Sequence, residues 1–233
     1  MPDLQEKDPD NIANYCPITL LNTDYKFFTK ALSIKLSEVA KEIIHMDQAG
    51  FIKGRSIFDQ VKTTKLVTDY MERANKTGTI VALDQEKAYD KILHPYLWVV
   101  LRKFGIPDNF INTIKALYDR AKTIVMINGE LSNPFIVCRG VRQGGALSCL
   151  LFNLAIELLA ANIRNAANIG GIPIPGKQDT LKVKLFTDNT TVYLSNNDKF
   201  EDLQHILTEW CCMSGTKFNI EKTEIIPLGN REQ

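Results

Sequence analysis

Two aspartates stand where strand patterns end. Ile80-Val81-Ala82-Leu83 is an apolar run closed by Asp84, and Lys182 to Leu194 reads as two alternating strands meeting at an acidic tip, Asp188-Asn189. Magnesium takes hard oxygen ligands, and carboxylates on rigid strands suit it. Two such ions, roughly 3.5–4 Å apart, clamp the attacking and leaving oxygens in phosphoryl transfer. Read singly, both residues are ordinary: an aspartate at a strand end is a common cap, and Asp-Asn is a common turn dipeptide. The chemistry also calls for a third carboxylate, where Asn189 offers an amide oxygen without charge.

Periodicity outlines the elements that would carry these residues. Thr23 to Ile44 is a helix pattern with Phe28, Leu32, Leu36, Val39 and Ile43 on one stripe. A glycine-punctuated loop, Gly50 to Arg55, leads to Ser56, which caps a helix running to about Asn75. After the strand to Asp84, Pro95 and Gly105 bracket a short helix, and Asp108 opens another. Thr123 to Ile127 alternates like a strand and meets Asn128-Gly129, a hairpin signal. Ser148 to about Arg164 forms a core helix. Beyond the acidic tip lie a helix from Asp198 to Ser214, closed by Gly215, and a strand pair over Lys217 to Pro227. Helices and hairpins in this order predict an α+β layout rather than βαβ alternation.

Composition narrows the setting. The 233 residues suffice for one large domain or two subdomains, with 45% hydrophobic and 24% charged residues and a net charge of +1. No global charge therefore argues for a nucleic-acid partner, and none argues against one. Five cysteines without CxxC spacing, with three histidines, give a zinc site no support. Reduced thiols suit an intracellular chain, in cytoplasm or nucleus. Met1 is followed by a polar stretch with no signal-peptide pattern, and Cys149 to Ala161 is too short and too interrupted to span a bilayer.

The loop before the core helix carries the decisive string. In Arg139-Gly140-Val141-Arg142-Gln143-Gly144-Gly145-Ala146-Leu147-Ser148, a glycine pair beside Gln143 would let backbone approach a base pair while Arg142 meets phosphate. By physics alone it is equally a helix N-terminus with its connecting loop. As a string it resembles the RQG-x-P-L-S signature of reverse transcriptases from non-LTR retrotransposons. The resemblance extends over nearly the whole chain. Asn14 to Asn22 is similar to the family's N-Y-R-P-I-(S/T)-L-L segment, and Asp47 to Ser56 to its Q-x-G-F-x-x-G-R-S motif. Leu83 to Asp90 resembles D-x-x-K-A-F/Y-D, Phe186 to Asn189 stands where the family has F-A-D-D, and Ser214 to Lys222 is similar to G-x-K-x-N-x-x-K.

That resemblance implies a right-hand polymerase: fingers at 14–78 after a polar lead-in at 1–13, a palm at 79–229 with an antiparallel sheet packed on helices, and a tail at 230–233. It implies RNA-directed DNA synthesis with an RNA template, a DNA primer, deoxynucleoside triphosphates and two Mg2+ ions, Mn2+ being a possible substitute. Asp84 and Asp188 would hold the metal, with Asn189 in the third catalytic place. Tyr89 would be the steric gate against a ribose 2′-hydroxyl. Gln143 and Gly144 would line the nascent base pair. Arg55 and Lys53 would face template or triphosphate, Arg142 phosphate, and Lys217 or Lys222 the leaving phosphate. Asp90 reads as structural.

Departures fall at motif positions. Asn189 replaces a carboxylate, Cys16 stands for the usual Arg, and Gly145-Ala146 replaces a residue followed by Pro. Thr187 for Ala reads as minor. The pattern predicts impaired catalysis, or alternatively a non-catalytic nucleic-acid-binding remnant. A ribonucleotide polymerase or a nucleotidyl cyclase on the same scaffold is opposed by Tyr89 and by the fingers motifs respectively. A thumb and an endonuclease are expected to be missing.

Overall fold

A computed structural model describes residues 18–176 and 179–229. The lead-in, Cys16 with its neighbours Asn14 to Pro17, and the tail lie outside the described residues. In chain order come α1 (Thr23–Ile43), α2 (Ile57–Arg73), β1 (Gly78–Leu83), α3 (Ala88–Lys91), α4 (His94–Lys103) and α5 (Asp108–Tyr118). Four two-residue strands follow, β2 (Lys122–Thr123), β3 (Met126–Ile127), β4 (Glu130–Leu131) and β5 (Phe135–Ile136), then α6 (Ser148–Asn165). The chain continues through β6 (Ile172–Pro173), β7 (Thr180–Leu181), β8 (Val183–Phe186), β9 (Asn189–Ser195), α7 (Phe200–Ser214) and β10 (Glu224–Leu228).

Local chemistry explains most boundaries. Ser56 Oγ accepts the Phe58 N–H and starts α2. Gly215, at φ +77°, closes α7 in the left-handed conformation that glycine adopts without strain.

The main sheet runs β10-β1-β9-β8, antiparallel throughout. On one face Val81, Leu83, Val183, Leu185, Val192 and Leu194 join the large core built around α6. On the other, Ile80, Tyr193 and Leu228 pack with Val67 and Met71 of α2. α6 is buried on nearly every side, because α1, α4 and α7 surround it while the sheet backs it. A buried chain of hydrogen bonds stitches three helices: Trp210 Nε1 donates to Tyr96 Oη (2.9 Å), which donates to the Ala155 carbonyl (2.8 Å).

Three expectations change. The buried stripe of α1 is Thr29, Leu36 and Ala40, while Phe28 and Val39 face outward. The helix docks through a narrower strip than its apolar residues span. The expected strand from Thr123 to Ile127 splits, because β2 pairs with β5 whereas β3 pairs with β4. The last segment is not a strand pair. Phe218 bridges to Gln85, a 3-10 turn occupies Ile220–Lys222 with Asn219 Oδ1 accepting the Glu221 N–H (3.1 Å), and β10 then pairs with β1.

Candidate active site

β1 ends at Leu83, and the next residues are tied to the segment after α7. The Asp84 carbonyl accepts the Asn219 N–H (2.8 Å), and Glu86 N–H donates to the Lys217 carbonyl (2.9 Å). Asp84 thus sits on main chain anchored to the Lys217–Asn219 segment.

The acidic tip is a two-residue turn between β8 and β9, with Thr187 and Asp188 in its centre and Phe186 opposite Asn189. Asp188 is half-buried. Burial pushes its carboxyl above the ordinary aspartate value, and the neighbouring Asp84 charge adds to the rise against its own backbone amide. The two predicted ligands therefore sense each other. Lys222 Nζ stands 3.9 Å from Asp84 Oδ2, whereas Lys217 is exposed and meets this region through its carbonyl.

Asn189 occupies the first position of β9 and is exposed. Its register places it on the sheet face of Phe186, Thr191 and Tyr193, where it lines a cleft of about 410 Å³ against Ile57, Gln60 and Thr64 of α2. Among the described residues no three His, Cys, Asp or Glu side chains converge as a metal-binding group. The donor set at the tip is a pair of carboxylates whose mutual repulsion a divalent cation would relieve, with the Lys222 ammonium 3.9 Å from Asp84 and, among the described residues, no third carboxylate joining them.

Tyr89 lies close enough to Asp188 for that charge to raise its phenol, after the larger effect of burial and a hydrogen bond with Cys149. Its ring stacks on Phe152 at 4.9 Å and 12°, so it is braced flat against α6. Gln143 Nε2 donates to both Asp90 carboxylate oxygens at 3.3 Å, which gives Asp90 a definite task. Gly144 is exposed at φ +79°, a backbone state that favours glycine. Arg142 lies over the Tyr25 ring at 5.1 Å and joins this loop to α1.

Arg55 is bonded to main chain. Its Nη1 donates to the His45 (2.6 Å) and Gln48 (2.9 Å) carbonyls, and its Nη2 to those of Lys41 (2.9 Å) and Ile44 (2.8 Å). All four terminal N–H groups are engaged by carbonyls of the end of α1 and the loop after it, and only Nε–H is left for a phosphate. Lys53 is exposed on the same loop. Sequence reasoning assigned no role to Gln48 or Gln85, yet both reach the tip. Gln85 Nε2 donates to the Asp188 carbonyl (3.3 Å) while its Oε1 has no partner. Gln48 lay inside a recognisable motif, a usable signal; Gln85 carried none.

An antiparallel sheet with two carboxylates near one end, beside a tyrosine and a glutamine-glycine loop, fits a template-dependent nucleotidyl-transfer domain. Residues 5–229 match the family model described as reverse transcriptase (RNA-dependent DNA polymerase). The chain belongs to that family and is a reverse transcriptase domain of the non-LTR retrotransposon type. It is 34% identical to the Transposon TX1 uncharacterized 149 kDa protein of Xenopus laevis, over 91% of this chain and 16% of that protein. It is 29% identical to the retrovirus-related Pol polyprotein from type-1 retrotransposable element R2 of Popillia japonica, over 96% of this chain and 31% of that protein. The chain thus spans less than a third of these relatives. The fold is similar to telomerase from Candida tropicalis in complex with a fragment of telomeric RNA, at a TM-score of 0.63 and 14% identity over 88% of this chain and 35% of that one. Among the described residues no helix is long and apolar enough to cross a membrane.

Proposed function

We propose that this domain carries out RNA-directed DNA synthesis, extending a DNA primer on an RNA template with deoxynucleoside triphosphates inside the cell. The observation that carries the reading is the meeting of Asp84 and Asp188 at one end of the sheet, with Tyr89 beside them. Residues 14–78 act as fingers and 79–229 as palm.

Asp84 and Asp188 hold Mg2+, two ions being expected and Mn2+ a substitute. When bound, the metal neutralises charge on the reacting phosphate and its leaving oxygens. The protein's own groups do the rest. Tyr89, braced by Phe152, fills the space a 2′-hydroxyl would need. Gln143, aimed by Asp90, and Gly144 line the base pair. Lys222 is better placed than Lys217 to meet a phosphate next to Asp84. Lys53 and Arg142 provide cations toward template, primer or triphosphate, while Arg55 contributes by holding the loop that carries Lys53.

Asn189 leaves the site one negative charge short, and catalysis is impaired accordingly. Primer extension on an RNA template, native chain against Asn189→Asp with Mg2+ or Mn2+, tests both points. Restoring a carboxylate should raise the rate by about tenfold or more, equivalent to roughly 1.4 kcal/mol or more of transition-state stabilisation. Equal rates in two folded proteins would refute the assignment of impairment to Asn189. Absence of extension from both would refute the polymerase reading of this chain.

A further inference from the structure

One buried amide grips the acidic tip from the loop after α1. Gln48 is fully buried, and its Oε1 accepts the N–H of Gly50 (2.8 Å) and the N–H of Thr187 (2.8 Å). Its Nε2 donates to the Thr187 carbonyl (3.1 Å). The side chain therefore meets both main-chain groups of Thr187, as a neighbouring strand would. Backbone bonds extend the seam: Ala49 N–H donates to the Leu185 carbonyl and Leu185 N–H to the Asp47 carbonyl, both at 2.9 Å. Asn153 Nδ2 holds the Gly50 carbonyl (2.6 Å). Gly50 has no room for a side chain, since a Cβ there would collide with the Thr187 amide and hydroxyl.

Thr187 needs holding. It is a buried β-branched residue at φ +60°, a sterically costly state, and its hydroxyl has no hydrogen-bond partner. Its peptide leads directly into Asp188, so its orientation sets where that carboxylate sits. We infer that Gln48 is a positioning residue for Asp188: by gripping the Thr187 main chain it fixes the height and direction of the carboxylate, coupling the loop that follows α1 to the metal-holding tip. The inference rests on Asp188 acting as a metal ligand, as proposed above. Partners one shell away from a ligand commonly change metal affinity by about 10–100-fold when removed.

The test uses the full chain and four substitutions. Gln48→Met keeps the volume and deletes all three hydrogen bonds. Gln48→Glu keeps an acceptor for the Gly50 and Thr187 N–H groups but, when ionised, loses the donation to the Thr187 carbonyl and adds a buried negative charge; it serves as the second variant if the first does not fold. Gln60→Met is the control, because Gln60 Nε2 donates to the Asp47 carbonyl (2.8 Å) in the same loop and makes no hydrogen bond to residues 187–189. Amide hydrogen exchange is read at residues 187–189, and Mn2+ alone is titrated by electron paramagnetic resonance. Gln48→Met should speed exchange at the tip by about tenfold or more while β1 and α6 stay protected, and weaken Mn2+ binding by about tenfold. Gln48→Glu should shift tip exchange less, and Gln60→Met should leave both readouts unchanged. Native Mn2+ affinity in both Gln48 variants would overturn the positioning role and leave the metal reading standing. A native chain whose Mn2+ binding is unaffected by Asp84→Asn would overturn the metal reading and this inference with it. Even loosening of β1, α6 and the tip together in the Gln48 variants would mark general structural support and overturn the inference alone.

Discussion

Two groups of carboxylates lie a few residues from the same hairpin and are treated in opposite ways. Asp47 is buried and surrounded: His45 Nδ1 at 2.8 Å, Lys184 Nζ at 2.9 Å and Arg164 Nη1 at 3.3 Å, with Arg164 also paired to Glu157. This network joins the loop after α1 to β8 and α6. Asp84 and Asp188 lie at the same end of the sheet, near enough for the Asp84 charge to raise the Asp188 carboxyl, with Lys222 Nζ at 3.9 Å from Asp84. Charge matched by several groups inside the protein makes a joint; a carboxylate pair met by one exposed lysine at the end of a rigid sheet is available for a cation.

The contrast predicts opposite responses to removing a charge. Asp188→Asn should lower primer extension, measured where the activity is strongest (the Asn189→Asp chain with Mn2+), by about a thousandfold, several kcal/mol of lost charge stabilisation. The same substitution should make the protein more stable at neutral pH. The folded-state carboxyl titrates above its ordinary value, so its favourable contribution is full below that ordinary value and is lost as pH rises through the raised one. Thermal unfolding across acid to neutral pH should show the Asn variant's advantage growing with pH and vanishing in acid. A variant less stable than the native chain at neutral pH would show that the tip charge is compensated after all.

Asp47→Asn should do the reverse and cost about 3 kcal/mol in urea unfolding, because three neighbouring groups lose their shared acceptor charge. A loss below about 0.5 kcal/mol would place the network with weak surface ion pairs instead. The smallest effect is at the turn itself. Thr187→Gly should stabilise by about 1 kcal/mol, since it relieves left-handed strain in a β-branched residue and removes a hydroxyl that lacks a partner. The tip should stay pinned, because Gln48 holds main chain rather than the threonine side chain. Thr187 thus matters more than its sequence context suggests.

Much of the scaffold was legible because its signals are local. Ser56, Gly105 and Gly215 cap helices through bonds and backbone states that a few residues determine. The helix from Ser148 was readable as core from its apolar content alone, and burial on nearly every side agrees. The α1 stripe was readable only in part: Leu32, Leu36 and Ile43 pack on the core while Phe28 and Val39 do not, because these residues are similarly apolar and only the docking partner decides which is covered. The final segment read as two strands for want of a local mark of the Phe218–Gln85 bridge, which joins residues 133 positions apart.

The sequence by itself determined the family and the candidate ligands, since ordered motifs and strand-ending aspartates are properties of residue type and spacing. Only the tertiary structure decided which residues touch ligand and which hold others in place. Arg55 and Gln48 both come from one motif, yet one ties the end of α1 to the loop after it through four carbonyls and the other grips the turn before Asp188. The physical reason is that a polar side chain's task is set by the donors and acceptors that folding brings within about 3 Å of it. Those partners lie up to 139 residues away along this chain, beyond the reach of any local pattern.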